Sequence, residues 1–326
     1  MAKIIKWGIL GLGNIAHKFA SDLLLDDGSS LEAVASRDPH NAGNFALQYQ
    51  SAKAYSSYQD LADDSEVDII YIATPHTFHY ENTMMCLKAG KSVLCEKAFG
   101  MNSKEVENMI TEAKKRNLFL MEALWTRFIP ATEKLLELVD QNTLGEIKHI
   151  RADFGFIADK NPNRRLFNKK LGGGSLLDVG IYPVYLSLLL LGLPKEIIAK
   201  AQMTKSQVDS YCAMLFDYPN GEKAILESSI ESATPVEAYI YGTKGSIKMH
   251  KNFHHSKKLS IKLNGQKNET IQIDYIGHGY YHEIREVISC LRNYKTESSK
   301  MPHQMSLDLI KTLDRIRSQI GLTYGE

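Results

Sequence analysis

The sequence predicts an α/β chain. A doubly wound parallel sheet occupies residues 1–122, and an α+β domain with a large, mainly antiparallel sheet occupies residues 123–326. Three observations carry this. A glycine-rich turn, Gly11-Leu12-Gly13-Asn14-Ile15-Ala16, stands between a strand-like and a helix-like run. Apolar runs and helical patterns alternate through about residue 122, as in a doubly wound fold. Beyond it, strand-like segments follow one another across tight turns, which favours antiparallel pairing.

Ile4 to Leu10 is a short apolar run and reads as a buried strand. The glycine turn follows at once, and Ile15 to Leu25 reads as a helix. Gly11 permits the tight turn, Gly13 lets the backbone approach a pyrophosphate, and Ala16 stays small so that helix and strand can pack. The helix start offers free N–H groups and a partial positive charge to phosphates. A dinucleotide is therefore the expected ligand, with Asn14 and Ile15 on the turn that meets it. The second strand, Leu31 to Ala35, ends in Ser36-Arg37, where an NAD-preferring site would place an acid on the ribose hydroxyls. A hydroxyl and a guanidinium suit a 2′-phosphate, so NADP is favoured over NAD. The plainer alternative is a surface arginine ahead of the Asp38-Pro39 helix start. Asn41 to Tyr49 reads as a short helix.

Val67 to Ala73 has the continuous apolar character of a central parallel strand. It stops at Thr74-Pro75-His76, on the edge where open α/β sheets bind ligands. His79 begins the next helix, which ends at Gly90. Ser92 to Cys95 then delivers Glu96-Lys97 to the same edge. Ribose or phosphate contact is expected of His76 and His79, and no third well-spaced ligand argues for a metal. Ser103 to Arg116 is helical and Phe119 to Glu122 is the last strand of this domain.

In the second domain, residues 130–141 form an amphipathic helix with Leu135, Leu136 and Val139 inward. Strands are expected at Ile147 to Phe156, Glu196 to Met203, Ser210 to Asp217, Lys223 to Ile230, Val236 to Tyr241 and Ser246 to His250. Asn264-Gly265 signals a hairpin, and Tyr281 to Asn293 and Leu307 to Ile320 are closing helices. The pair His254-His255 is expected at the surface.

Within this domain, Gly172 to Leu186 stands apart. Three glycines lead into Ser175, which reads as an N-cap with Asp178 as its capping-box partner. Leu177, Ile181, Val184 and Leu188 fall on one side of the following helix, and Asp178 and Tyr182, four apart, on another. Pro183 should kink or interrupt that helix. An acid and a phenol on one face suit acid/base chemistry, while a capped, kinked core helix explains the same residues without it.

Composition bounds the function. The 44% hydrophobic and 24% charged fractions are ordinary for a globular chain of 326 residues, and the net charge of +1 shows no footprint for nucleic acid or anionic membrane. No apolar run reads as long enough to span a bilayer, Leu186 to Leu193 being the richest. The start is not a signal peptide, and Cys86, Cys95, Cys212 and Cys290 are scattered, so reduced thiols in a cytoplasmic protein are expected.

These residues support a family. The chain resembles the glucose–fructose oxidoreductase/inositol dehydrogenase/rhizopine-catabolism (Gfo/Idh/MocA) oxidoreductases along essentially its whole length, in Gly11 to Ala16, Thr74-Pro75 with His79, and Glu96-Lys97. More narrowly it looks like the dihydrodiol and D-xylose dehydrogenase branch, in Phe119 to Phe128, the Gly172 stretch, Met301-Pro302 and Gln319 to Leu322. The resemblance implies a Rossmann domain, bound NADP(H), and a homodimer formed through the second domain's sheet. It also implies catalytic roles for Lys97, Asp178 and Tyr182, with Tyr182 where many relatives carry histidine. Ala98 stands where the family usually has proline after a cis bond. A cis bond before a non-proline residue costs about 2.5–4 kcal/mol, so Lys97–Ala98 is expected trans.

The activity so implied is hydride transfer between a nicotinamide and a secondary alcohol or carbonyl of a sugar or cyclic diol. Tyr182 exchanges the proton, Lys97 favours its phenolate, and Asp178 orients Lys97 or the substrate or serves only as the cap. Trp125 and Arg127 are expected at the nicotinamide end, and Phe156 and the Arg164-Arg165 pair over the substrate. An NADP-binding sensor without turnover, an oxidoreductase that retains its cofactor between two sugars, and a hydrolase using transient oxidation remain as alternatives.

Overall fold

The glycine turn of the first unit takes its place at the centre of a parallel sheet. The structure is a computed structural model, and it describes residues 3–324. The chain lays down β1 (Ile5–Leu10), α1 (Asn14–Leu23), β2 (Ser29–Ala35), α2 (Pro39–Tyr49), β3 (Lys53–Tyr55), α3 (Tyr58–Asp63) and β4 (Ile69–Ile72). It continues through α4 (His79–Lys88), β5 (Ser92–Glu96), α5 (Ser103–Arg116) and β6 (Leu120–Ala123). Then come α6 (Pro130–Asp140), β7 (Ile147–Gly155), α7 (Ile181–Leu191), β8 (Glu196–Met203), β9 (Asp209–Asp217) and β10 (Lys223–Ser229). The chain closes with β11 (Ala238–Gly242), β12 (Gly245–Met249), β13 (Lys258–Leu263), β14 (Glu269–Gln272), α8 (Tyr280–Arg292) and α9 (His303–Ile320).

The first six strands form one parallel sheet in the order β3-β2-β1-β4-β5-β6. This is the doubly wound order whose reversal lies between β1 and β4, so their carboxyl ends open a crevice for a ligand. The buried runs of β1, β4 and β5 reflect cover on both faces. β3 and α3 are additions the sequence pattern did not show.

The unit is discontinuous in sequence. It comprises the chain up to Phe128 together with Ile276–Leu307; the second unit is Ile129–Tyr275 with the segment from Asp308 onward. The boundary read at residue 122 thus moves to 128, and a later segment returns to the first unit. The returning segment is held by a buried acid. Asp22, in the last turns of α1, accepts His278 N–H at 2.8 and 2.9 Å through its two oxygens and Tyr281 N–H at 3.1 Å. It thereby caps α8, whose own preceding residue, Gly279, has no side chain to do so.

The second unit is built on an eight-stranded sheet, β14-β13-β12-β11-β7-β10-β9-β8. Every pair is antiparallel except β7 with β10, so the expected mainly antiparallel sheet is what forms. The core turn Leu176–Gly180 and α7 pack on one face. On the other, Ile198, Leu215 and Ile225 lie opposite one another across three strands, 52%, 40% and 52% exposed. In α6 the inward residues are Leu135 and Leu138; Leu136 and Val139 are only half-buried, because the buried stripe runs Ala131, Leu135, Leu138. By composition, Lys169–Leu191 is apolar enough to cross a membrane, contrary to the reading of the sequence. Its apolar window is 83% buried, as befits a core helix.

Asp22→Ala should lower the unfolding free energy by about 2–4 kcal/mol, since it strips several charge-assisted bonds from a buried helix start. Urea unfolding measures this, with Asp22→Asn expected between wild type and Ala; a loss under about 1 kcal/mol would show that another contact holds α8.

Candidate active site

The candidate nucleotide site lies in the first unit, at the carboxyl ends of β1, β2, β4 and β5. Gly11 has φ +88°, and a Cβ there would fall 2.9 Å from Thr74 Cγ2 and 3.1 Å from the Ala73 carbonyl carbon. Only glycine therefore lets β1 turn against the end of β4. Gly13, Asn14 and Ile15 are exposed at the start of α1. A Cβ on Gly13 would meet nothing within 4 Å, and no side chain caps this helix. The start of α1 is thus exposed and uncapped by any side chain, with open space where Gly13 lacks one, an arrangement that fits a pyrophosphate.

At the end of β2, Ser36 is buried and accepts Asp38 N–H at 3.2 Å. Asp38 accepts His40 N–H at 2.9 Å as the cap of α2. Arg37 is exposed, with its guanidinium carbon 5.7 Å from the Phe78 ring centroid. The acid of this strand end is thus occupied by a helix cap, while the cation faces solvent.

The residues after β4 and β5 are interlocked. Thr74 and Pro75 are half-buried, and His76 is buried with its ring 5.7 Å from that of His79. His79 was expected at the cofactor, but it is wholly buried. Its Nδ1 lies 2.7 Å from the Ala98 carbonyl oxygen and its Nε2 lies 2.8 Å from that of Thr74. His79 thereby ties the loop after β4 to the loop carrying Lys97. Lys97–Ala98 is cis, where trans was expected. The peptide that follows it, Ala98–Phe99, is held at both ends: His79 bonds the Ala98 carbonyl, and Phe99 N–H donates to Glu122 Oε1 at 3.1 Å.

Glu96 Oε1 accepts the Tyr71 hydroxyl at 2.5 Å and Oε2 accepts Lys97 N–H at 3.2 Å, so this acid braces the turn. Burial pushes the Glu122 carboxyl up to about 7, against bonds from Ser306 and Phe99 that pull it down. Trp125 stacks on Tyr280 at 4.7 Å between centroids, and Arg127 Nε donates to the Lys300 carbonyl at 3.1 Å. Both expected nicotinamide neighbours are therefore anchored by the segment that returns to this unit.

In the second unit, the stretch from Gly172 is wholly buried from Gly172 to Gly174 and on through Leu188, Leu177, Ile181, Val184 and Leu188 included. Ser175 does not cap as expected: its backbone is already helical and its side chain bonds elsewhere. Residues Leu176–Gly180 form a single π-helical turn that runs into α7. Such turns occur as local bulges in α-helices. Pro183 does not interrupt the helix, which runs on to Leu191; the change in backbone pattern is the π-helical turn just before it.

Asp178 is no capping partner either; its Oδ1 accepts Arg165 Nη2 at 2.8 Å. Of the arginine pair expected at the substrate, Arg164 is exposed and pairs with Asp159 at 3.1 Å. It is the neighbouring Arg165 that reaches the acid. Tyr182 is buried, its ring 5.6 Å from Phe154 and 4.7 Å from His254. Phe154 and His254 also stack on each other at 4.5 Å. His254 is therefore buried in the tyrosine's surroundings rather than at the surface, whereas His255 is half-buried and bonds the Tyr275 hydroxyl. Phe156 packs against Ala158, Phe167 and Ile230.

Phe154 was not singled out from sequence, His254 was read only as surface, and Arg165 was expected over the substrate as one of the Arg164-Arg165 pair. Strand alternation could have flagged Phe154, but nothing local connects His254 to a tyrosine seventy residues earlier. Among the described residues, no His, Cys, Asp and Glu group could hold a metal ion.

Comparison with known proteins follows the same division. A family model described as an oxidoreductase family with an NAD-binding Rossmann fold (GFO/IDH/MocA) matches residues 5–124, and the GFO/IDH/MocA C-terminal domain model matches residues 132–248. Trans-1,2-dihydrobenzene-1,2-diol dehydrogenase of Mus musculus is 37% identical, covering 99% of this chain and 98% of its own length. The Homo sapiens protein of that name is 36% identical with the same coverage. Among solved structures, an aldose–aldose oxidoreductase from Caulobacter crescentus superposes with a TM-score of 0.89 at 23% identity, over 97% of each chain. A 3-ketoreductase from Actinomadura kijaniata, in complex with NADP and TDP-benzene, does so at 0.88 and 23%, over 97% of this chain and 98% of that one.

The Glu122 carboxyl supplies a pH signature. Its folded-state value is raised from 4.5 to about 7, so between those values the folded chain keeps a proton that the unfolded chain has released. Stability from this group therefore falls as pH rises from 4.5 and levels off above 7. Glu122→Gln should flatten that slope, on the order of 3 kcal/mol across the window, in denaturant midpoints measured from pH 4.5 to 8. Parallel curves for the two proteins would count against a protonated Glu122.

Proposed function

The chain belongs to the GFO/IDH/MocA oxidoreductase family, and from that premise we propose that it is an NADP-dependent dehydrogenase acting on a secondary alcohol of a cyclic vicinal diol or a sugar. The observation that carries the reading is the setting of Tyr182. It is a buried phenol held in an aromatic stack, one turn after an acid paired with an arginine, in a chain whose other unit presents a dinucleotide turn.

Bound nicotinamide supplies hydride acceptance and return. Gly11, Gly13 and the N–H groups at the start of α1 would hold the pyrophosphate. Arg37 and Ser36 would take the 2′-phosphate, which a planar guanidinium binds through two parallel bonds. The capping role of Asp38 supports NADP over NAD, because it leaves the cation as the group that meets the ribose.

Tyr182 accepts the substrate hydroxyl proton during oxidation and donates it during reduction. An ordinary phenol titrates near 10, so it serves as a base only with positive charge to favour phenolate, the role proposed for Lys97. Asp178 and Arg165 orient the substrate's neighbouring hydroxyl. The names of the curated relatives and the Phe154–His254–Tyr182 stack support a ring-bearing substrate. The four cysteines are buried free thiols, in keeping with a reducing cytoplasm.

The proposed assembly is a homodimer through the open sheet face. The aligned row Ile198, Leu215 and Ile225 is apolar surface that a second copy would cover, and Arg151 extends it opposite Ile225. Sedimentation velocity should give twice the chain mass, and Leu215→Glu with Ile225→Glu should halve it. A wild-type monomer at micromolar concentration would sink the dimer.

The activity is tested by incubating the protein with NADP⁺ or NAD⁺ and a panel of pentoses, hexoses and cyclic trans-diols, following reduced nicotinamide. Turnover is expected with NADP⁺ and at least one diol or sugar. Tyr182→Phe should lower kcat about 10²–10⁴-fold with NADP⁺ binding unchanged. Cofactor binding without turnover for every substrate would favour a sensor, and near-normal turnover in Tyr182→Phe would remove that residue from the proton step.

A further inference from the structure

Asp209 is the first residue of β9 and is wholly buried, yet the proton chemistry proposed for this chain does not use it. Its Oδ2 accepts the Ser175 hydroxyl at 2.7 Å and Leu176 N–H at 2.7 Å. Ser175 is bonded in turn to the Ser228 hydroxyl, at 2.9 Å, on the neighbouring strand β10. Gly174 fits only because it lacks a side chain: with φ +116°, its Cβ would fall 2.2 Å from Asp209 Oδ1. Three consecutive residues, Gly174, Ser175 and Leu176, are thus shaped around one carboxylate that lies more than thirty positions later.

The helical turn they open carries Asp178 and leads directly to Tyr182. No side chain of its own caps it. A helix start must have its first N–H groups satisfied, and an anion there is also favoured by the helix dipole.

We infer that Asp209 is a positioning residue: its carboxylate caps the Leu176–Gly180 turn from the sheet and so sets where Asp178 and Tyr182 stand. This rests on the dehydrogenase reading of that site. Because β9 is paired on both sides, by β8 and β10, the cap ties the turn to the most extensively bonded part of the unit. Without it, Leu176 N–H loses its acceptor in a buried setting, while the Ser175 hydroxyl keeps only Ser228 within reach, and the turn must shift to recover a partner. A displacement of about 1 Å at reacting groups can cost about 100-fold in rate. Asn at 209 keeps an oxygen acceptor of the same reach, so it should retain most of the function that Ala loses.

The test combines steady-state kinetics with hydrogen exchange on the full-length chain, using the best substrate of the panel and NADP⁺. Asp209→Ala should lower kcat about 10–100-fold, with KM and the NADP⁺ dissociation constant each within about twofold of wild type. Asp209→Asn should recover at least half of that loss on a logarithmic scale. Amide protection from Leu176 to Tyr182 should drop in Asp209→Ala and hold in Asp209→Asn, while β1 and β4 stay unchanged in both. Should Asp209→Ala fail to fold, Asp209→Ser, whose hydroxyl is too short to reach Leu176, takes its place with the same expectations.

Wild-type kcat or wild-type protection of residues 176–182 in the deletion variant overturns the proposal, and so does a loss that Asn does not recover. The exchange measurement needs no substrate. A protein that turns over nothing in the panel would therefore fail the dehydrogenase reading while exchange still decides whether Asp209 holds the turn.

Discussion

A buried carboxyl group accepting backbone N–H groups from a distant stretch of chain recurs wherever this protein places something important. Asp22 receives the start of α8, Glu122 receives Phe99 beside Lys97, and Asp209 receives Leu176 ahead of Asp178 and Tyr182. Each bond joins segments between 23 and 259 positions apart. A carboxylate suits the task because it offers two acceptor oxygens and forms stronger bonds than a neutral partner. Burial raises the proton affinity of such a group, as it does for Glu122, pushed up to about 7, and Asp209, pushed up to about 6. The bonds they accept pull the other way, and the balance keeps them near the physiological range.

The consequence is a division of labour among acids. Asp178 keeps its partner on a side chain, Arg165, while Asp209 takes the backbone work that a local cap would otherwise do. Asp38 is likewise absorbed into the cap of α2, which leaves Arg37 as the exposed charge at the end of β2. Glu96 braces Tyr71 and the Lys97 backbone. The acids that hold distant backbone, Asp22, Glu122 and Asp209, are buried, whereas Asp38, which caps its own helix, is exposed.

Much of the nucleotide unit was legible in the sequence because its signals are local. The strand–glycine–helix passage is contiguous, and the steric demand at Gly11 comes from Thr74, at the end of the adjacent strand. Continuous apolar runs located β4 and β5, since strands covered on both faces cannot alternate. The antiparallel sheet was legible for the converse reason. The reading failed where a residue's partner lies far along the chain. Ser175 has the residue type and spacing of a cap, yet its hydroxyl turns to Asp209; His79 opens a helix on the ligand edge, yet its ring is consumed by two carbonyls. Arg165 and Arg164 are indistinguishable in sequence, and only the path of their loop separates them.

By itself, the sequence determined the two architectures, the phosphate-binding turn, the Ser36-Arg37 strand end, and the pairing of an acid with a phenol four residues on. These follow from steric freedom, hydrophobic periodicity and residue chemistry, all of which act within a few positions. Tertiary structure alone decided that Ile276–Leu307 belongs with the first unit, that His254 and Phe154 enclose Tyr182, and that Asp209 holds the turn before it. The physical reason is common to all three. A buried N–H group, carboxylate or ring must find its complement, and which complement is near enough is settled only when the sheets bring remote segments together.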